Sequence, residues 1–266
     1  MAQQGFLYEE NAYKALQQFH ISTGGTAGAS SDKPDLTILS TSLKRTSGCE
    51  LKIAPTAAGS LVLKYYKDEW SYGEYKGDPE KELLVALGDK YKLLTEMNTS
   101  GVHGKNWRGK VPFLQNDANG KKIIPSKLAK VDAYKKDIQQ FSGPNEVHIE
   151  VPAKAICDYY NSKKCGYINV GTHGFYLLNK SDPLNLNVKL RPTIPDFADI
   201  ASARIRVRCQ NKGSSSGDYQ FVMTLEFSKM TKSHYNLAPV MAASNVTINQ
   251  ALYQTEHNKK LIGAFA

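Results

Sequence analysis

The chain has 266 residues, 41% of them apolar and 10% aromatic, and 34 Lys+Arg against 25 Asp+Glu give a formal net charge of +9. That apolar content supports a buried core and excludes wholesale disorder, while no apolar run approaches the roughly 20 residues a membrane-spanning helix needs. The excess of positive charge favours a polyanionic partner, because each phosphate neutralised releases condensed counterions.

The start, MAQQGFLYEENAY, lacks the basic and apolar regions of a secretory signal. Residues 5–19 read as an amphipathic helix. At about 100° per residue, Tyr8, Ala12, Ala15, Leu16 and Phe19 share one face. A Gly/Ser/Thr-rich turn at 22–31 leads to expected strands at Leu36–Leu39 and Cys49–Ile53, joined by a polar loop with Lys44 and Arg45. Leu61–Tyr66 and Trp70–Tyr72 read as a hairpin around Lys67-Asp68.

Asp78-Pro79 forms an N-cap and N1 pair before Leu83, Leu84, Leu87, Tyr91 and Leu94 at helical spacing. Ser126 opens a second expected helix burying Leu128, Val131, Tyr134 and Ile138, and a third covers Ala153–Asn161. Residues 101–125, rich in Gly, Lys and Asn, read as a surface loop. Farther on the pattern is β: Tyr167–Val170 and Phe175–Leu178 flank Gly171-Thr172-His173-Gly174, and Ala203–Cys209 and Tyr219–Phe227 flank the GSSSG stretch at 213–217.

These elements predict an α/β (α+β) fold built as one domain over 1–266. Its core occupies about 1–75, a helical middle about 78–162 and a β-rich C-terminal part about 166–230. Cys49, Cys157, Cys165 and Cys209 have no C-x₂-C spacing, which argues against a zinc ribbon or redox pair and fits a reduced, cytoplasmic setting.

Chemistry concentrates in Pro34-Asp35-Leu36-Thr37-Ile38 and Cys49-Glu50-Leu51-Lys52-Ile53. Positions two apart on a strand share a face, so Glu50 and Lys52 project together while Cys49, Leu51 and Ile53 project to the opposite, buried side. Hairpin pairing brings the Asp35 carboxylate beside Glu50. Two close carboxylates repel unless a cation sits between them, and a hard divalent ion such as Mg²⁺ suits oxygen ligands. Such an ion lowers the pKa of a bound water and polarises a phosphoryl oxygen, and Lys52 adds a compact cation against the phosphate.

Pro34-Asp35 with Glu50-Leu51-Lys52 resembles the signature of the PD-(D/E)xK nuclease superfamily. The resemblance implies a restriction-endonuclease-like mixed sheet flanked by helices, a metal site on Asp35 and Glu50, and a catalytic Lys52. Members often add an acid from the first helix, and GFLYE matches that context. Helical phase prefers Glu9, which borders the apolar face, over Glu10, which points to solvent. The later stretch Cys165–Arg208 (YINVGTHGFYLL, DPLNL, ARIRVR) also resembles restriction-type and phage nucleases of this superfamily. Glu74-Tyr75-Lys76 also fits E-x-K, but without flanking strand residues, and Pro195-Asp196 has no E-x-K downstream.

For DNA contact the candidates are Arg204, Arg206 and Arg208, alternating with Ile205, Val207 and Cys209, and Lys105, Arg108 and Lys110 around Trp107. The arginine alternation also fits a solvated basic strand or a sheet braced through carboxylates. Lys64 could approach the phosphate from the following strand. His173 has no ligand partner at suitable spacing and reads as a turn residue. Ser60 lacks G-x-S-x-G surroundings, and the absence of G-x-x-x-x-G-K-[ST] argues against ATP use.

The expected function is a Mg²⁺-dependent DNA endonuclease, type II restriction-like, acting on double-stranded DNA as a homodimer. The resemblance implies 5′-phosphate and 3′-hydroxyl products. The alternatives are a structure-selective or weakly specific phage or repair nuclease, and a non-catalytic basic DNA-binding protein in which Asp35, Glu50 and Lys52 form an ordinary ion-pair group.

Overall fold

The computed structural model describes residues 2–27, 33–66, 69–99, 115–116, 122–123, 146–211, 219–240 and 248–266. In chain order, α1 (Ala2–Gln17) leads to β1 (Ser22–Thr23), β2 (Leu36–Ser40), β3 (Arg45–Lys52), β4 (Ala57–Tyr66) and β5 (Glu69–Tyr72). Then come α2 (Pro79–Lys90), α3 (Leu93–Thr99), β6 (Gln115–Asn116), β7 (Lys122–Ile123), β8 (Glu146–Val151) and α4 (Lys154–Ser162). The last part holds β9 (Cys165–Val170), β10 (Gly174–Leu177), the short α5 (Leu186–Lys189) and α6 (Phe197–Ile200), β11 (Ala201–Asn211) and β12 (Tyr219–Met230). A 3₁₀ turn at Gln250–Gln254 precedes α7 (Glu256–Phe265).

The chain divides into two units, Met1–Ala58 with Pro152–Ala203 and Glu226–Ala266, and Gly59–Val151 with Arg204–Leu225. One domain over 1–266 was expected because no linker interrupts the sequence. The structure explains that silence, since the chain crosses between units inside β4, β11 and β12, and otherwise between β8 and α4.

The first unit is built on a mixed sheet of order β1-β2-β3-β9-β10. β2 and β3 run antiparallel, β3 and β9 parallel, and β9 and β10 antiparallel. α1 lays Tyr8, Ala12, Ala15 and Leu16 into the core, as its periodicity demands, against Leu36, Ile38, Cys49 and Leu51 of the sheet. Phe19 departs from the expected pattern: it lies beyond the helix and is partly exposed, edge-on to Tyr253. Every residue of β9 is buried, so this strand is covered on both faces.

The C-terminal segment closes the same core. Asn169 of β9, fully buried, accepts from Leu237 N–H at 2.8 Å, and Tyr8 donates its hydroxyl to the Ala238 carbonyl at 2.5 Å. Leu261 and Phe265 of α7 join the cluster. A side chain at Gly171 would meet the Tyr8 hydroxyl at 2.7 Å, so that turn requires glycine.

The second unit carries most of a sheet of order β5-β4-β12-β11-β8. The β4–β5 hairpin pairs Leu63 with Tyr72 and Lys64 with Ser71, and buried Trp70 meets Phe221 edge-on at 4.8 Å between ring centroids. Asp78 caps α2 as expected, but the buried positions are Leu84, Val85 and Gly88, with Leu83 exposed. The helix stops at Lys90 and Lys92 takes a left-handed φ of 54°, so α3 restarts on a new phase with Leu93 and Met97 inward.

Two further expectations are corrected. The middle was expected to be helical through 162, yet β8 is a strand within it. The C-terminal strands do not form a separate β part: β9 and β10 complete the sheet of β2 and β3, while β11 and β12 join β4, β5 and β8. The helix expected from Ser126, the Lys67-Asp68 turn and the GSSSG turn lie outside the described residues. Among the described residues no helix is long and apolar enough to cross a membrane.

Candidate active site

Strand register assembles the site. β2 and β3 pair with Leu36 opposite Cys49, and continuing that register sets Asp35, just ahead of β2, beside Glu50. Asp35 is buried, and its Oδ2 accepts the Leu51 N–H at 2.8 Å. On β3, Cys49 and Leu51 enter the core under α1, whereas Glu50 and Lys52 turn together to the other face. Glu50 is only 1% exposed.

A register shift between Gly48 and Cys49 lets β3 meet the end of α4 closely. A Cβ on Gly48 would lie 2.6 Å from the Lys164 carbonyl oxygen and 2.8 Å from Pro34 Cβ. α4 ends at Ser162 with Lys163 as its C-cap, and Lys164 adopts a left-handed φ of 62° to turn the chain into β9. This turn holds Tyr160 and Lys163 close to Glu50.

Glu50 is gripped from two sides. Lys52 Nζ donates to Oε1 at 2.5 Å, and Lys163 Nζ lies 3.7 Å from Oε2. Both ammonium groups lie against the Tyr160 ring, at 5.5 and 5.7 Å from its centroid. Burial opposes the Lys52 charge, yet Tyr160, Glu50 and Asp35 together hold its ammonium well above the usual lysine value.

The acids are raised as well, which in their case disfavours the charged form. Burial first, then the neighbouring Glu50 charge, push Asp35 up to about 8, against the opposing pull of Lys52. Glu9, half-buried on α1, is pushed up to about 7 by burial, with Lys52 and Lys163 pulling it down and Glu50 pushing it up. Glu9 therefore belongs to the same electrostatic cluster, while Glu10 pairs with Lys14 on the exposed side of α1. Burial also keeps the thiols of Cys49 and Cys165 protonated, and both are free.

The structure thus gathers Glu9, Asp35, Glu50 and Lys52. It adds Tyr160 and Lys163, which sequence reasoning missed although the helix carrying Tyr160 was expected. The available signal was the run Tyr159-Tyr160 followed by Lys163-Lys164 directly ahead of the largely apolar stretch Cys165–Val170.

The other candidates fall elsewhere. On β11, Ala203, Ile205 and Val207 are buried and Arg204, Arg206 and Arg208 are partly exposed. Arg206 is held by Glu146 through two hydrogen bonds, Nε to Oε2 at 2.9 Å and Nη2 to Oε1, which is the bracing arrangement. Lys64 pairs with Glu74 at 3.3 Å on an exposed surface, and Glu74-Tyr75-Lys76 lies off the strands. His173 sits in the turn before β10, and Asp196 caps α6. Lys105, Trp107, Arg108 and Lys110 lie outside the described residues.

The donors fit a hard divalent cation by type: all three acids offer carboxylate oxygens, and Glu9 Oε2 and Glu50 Oε2 are buried without a hydrogen-bond partner. Their present arrangement is a lysine-compensated one. Among the described residues, no three His, Cys, Asp or Glu side chains are gathered into a ready metal-binding group. No family model, curated protein or solved structure matches the chain.

Proposed function

We propose that the chain is a Mg²⁺-dependent DNA endonuclease, type II restriction-like, acting on double-stranded DNA as a homodimer in the cytoplasm. The observation that carries this reading is the meeting of Asp35, Glu50 and Lys52 on neighbouring strands with Glu9 at their border. The order α1, antiparallel β2–β3, α4, then β9 parallel to β3 supports a restriction-endonuclease-like core. The net charge of +9 supports a polyanionic substrate.

In this mechanism Glu9, Asp35 and Glu50 would hold the ion through their carboxylate oxygens. Bound Mg²⁺ supplies an acidified water and charge neutralisation at the phosphate. Lys52 does the rest of the polar work: its ammonium, anchored on Glu50, orients the attacking water and stabilises charge on the phosphoryl oxygens. Hydrolysis then breaks the bond from phosphorus to the 3′ oxygen, leaving a 5′-phosphate and a 3′-hydroxyl.

A second reading has one observation in its favour. Two lysines already compensate Glu50, as in a buried ion-pair group of a non-catalytic DNA-binding protein. Incubating a defined plasmid with and without Mg²⁺, for the native chain and Lys52→Ala, separates the two. Mg²⁺-stimulated cleavage lost in the variant supports the nuclease, with discrete bands indicating restriction and a smear indicating degradation. DNA binding with no cleavage under any condition selects the silent protein.

A further inference from the structure

Tyr160 is fully buried on α4, yet its hydroxyl has no hydrogen-bond partner among the described residues. A stranded phenol O–H is costly to bury, and each such group in a folded chain calls for an explanation. Packing does not supply one. The ring stands edge-on to Tyr159 at 5.3 Å between centroids and lies 5.5 Å from the Lys52 ammonium. A phenylalanine would make both contacts without stranding an oxygen.

The surroundings of that oxygen indicate its use. Burial raises the phenol well above the ordinary tyrosine value, with Lys52 the strongest opposing charge and Glu50 the strongest reinforcing one. The hydroxyl is therefore a protonated donor beside the acid cluster. Acceptors in that cluster are stranded too: Glu50 Oε2 and Glu9 Oε2 are buried without a hydrogen-bond partner. A donor that reaches no acceptor, next to acceptors that lack a donor, is complementary to one small molecule. Water accepts from the phenol and donates to a carboxylate, and a buried water commonly has about two to four such partners. Lys52 spends one ammonium proton on Glu50 Oε1 at 2.5 Å and keeps the others for the same molecule.

We propose that Tyr160 is a water-orienting residue, whose hydroxyl donates to an ordered water held against the Glu50 carboxylate. In the nuclease reading that water is the attacking one, and fixing its orientation removes part of the entropic cost of attack. The catalytic consequence rests on that reading; the water contact does not.

The test compares the native chain with Y160F, which removes one oxygen and keeps the ring. Crystals of both are grown in EDTA and measured at a resolution that places waters. The native chain should show a water within hydrogen-bond distance of the Tyr160 hydroxyl and of a Glu50 carboxylate oxygen. Y160F should lose that water with Glu50 and Lys52 unmoved. In Mg²⁺, kcat for plasmid cleavage should fall about 10²-fold in Y160F. KM, and duplex affinity in EDTA, should stay within about twofold of native, because only the transition state loses an interaction.

A native chain with no water on the Tyr160 hydroxyl would overturn the proposal, whatever Y160F does. So would a Y160F chain that turns over like the native one. A variant whose affinity and thermal midpoint fall along with its rate would overturn it as well, since the tyrosine is then structural. Should Y160F fail to fold, the native density decides alone. A native chain that holds the water but never cleaves DNA supports the contact and removes only the nuclease reading.

Discussion

Asp35 stands beside Glu50 across β2 and β3, yet the two carboxyls are held by different means: Asp35 by the Leu51 N–H at 2.8 Å, Glu50 by the ammonium of Lys52 at 2.5 Å. Only one of the pair therefore has a bonded cation.

The consequence is a pH-dependent stability. Burial and Glu50 push Asp35 up to about 8, with Glu9 of α1 adding to the rise and Lys52 of β3 opposing it. An acid whose folded value exceeds its unfolded value near 4 binds its proton more tightly when folded. Its stabilising effect is present below about pH 4 and is lost as pH rises toward 8. In EDTA the chain should lose on the order of 2–4 kcal/mol between about pH 5 and pH 8. Asp35→Asn should flatten that decline. Urea unfolding across this range measures it, and identical pH profiles for the two chains would refute the prediction.

Much of this site could be read before any coordinates. Alternation around Glu50 and Lys52 specified their shared face, and helical phase separated Glu9 from Glu10, because both depend on periodicities local to one element. The register placing Asp35 beside Glu50 followed from a short hairpin. Lys163 could not be reached that way, since it meets Glu50 only after the chain has left for the second unit and returned through α4. The parallel pairing of β3 with β9 is equally non-local, so the strands after 165 read as a separate β part rather than the rest of the first sheet. Gly48 carried no local signal either, because the close approach that demands it comes from Lys164.

Removing the Glu50 charge tests the cluster as a unit. Glu50→Gln leaves Lys52 and Lys163 with a neutral amide in place of their shared counter-ion. Stripping one partner from a buried pair costs about 3–5 kcal/mol, and the 21% exposure of Lys52 favours the lower end of that range. The double variant Glu50→Gln with Lys163→Met should recover about 1–2 kcal/mol, as coupled neighbours do. Denaturant midpoints for the four chains complete the cycle. Additive losses would show that Lys163 does not share the Glu50 charge.

Gly48→Ala probes the junction between β3 and α4. The new methyl would sit 2.6 Å from a backbone oxygen, so β3 or the Lys164 turn must shift. Overpacking of this kind costs about 1–3 kcal/mol, and here the displacement falls two residues from Glu50. Stability and Mg²⁺-dependent cleavage should decline together, with cleavage down about 10-fold even well below the melting temperature. A folded, fully active variant would show that the β3–α4 approach does not position the site.

Arg206 offers the sharpest choice between bracing and DNA contact. Glu146 holds it by two charge-assisted hydrogen bonds, and Glu146 also contacts His148 at 2.9 Å. The Arg206 bonds are the main reason that the Glu146 carboxyl is held below the usual carboxylate range, against partial burial, with His148 adding to the effect. If the guanidinium braces β11 against β8, Arg206→Ala and Glu146→Gln should each destabilise the chain by about 1–2 kcal/mol. The double variant should be no worse than either, and duplex affinity should change less than about threefold. The Glu146 contribution is present above its unfolded value and is lost as pH falls through the lowered folded one, so the penalty of Glu146→Gln should shrink in acid. Should Arg206→Ala instead lower affinity by about 1–3 kcal/mol in a stable chain, while Glu146→Gln preserves or strengthens binding, the arginine belongs to the DNA interface and Glu146 merely parks it there.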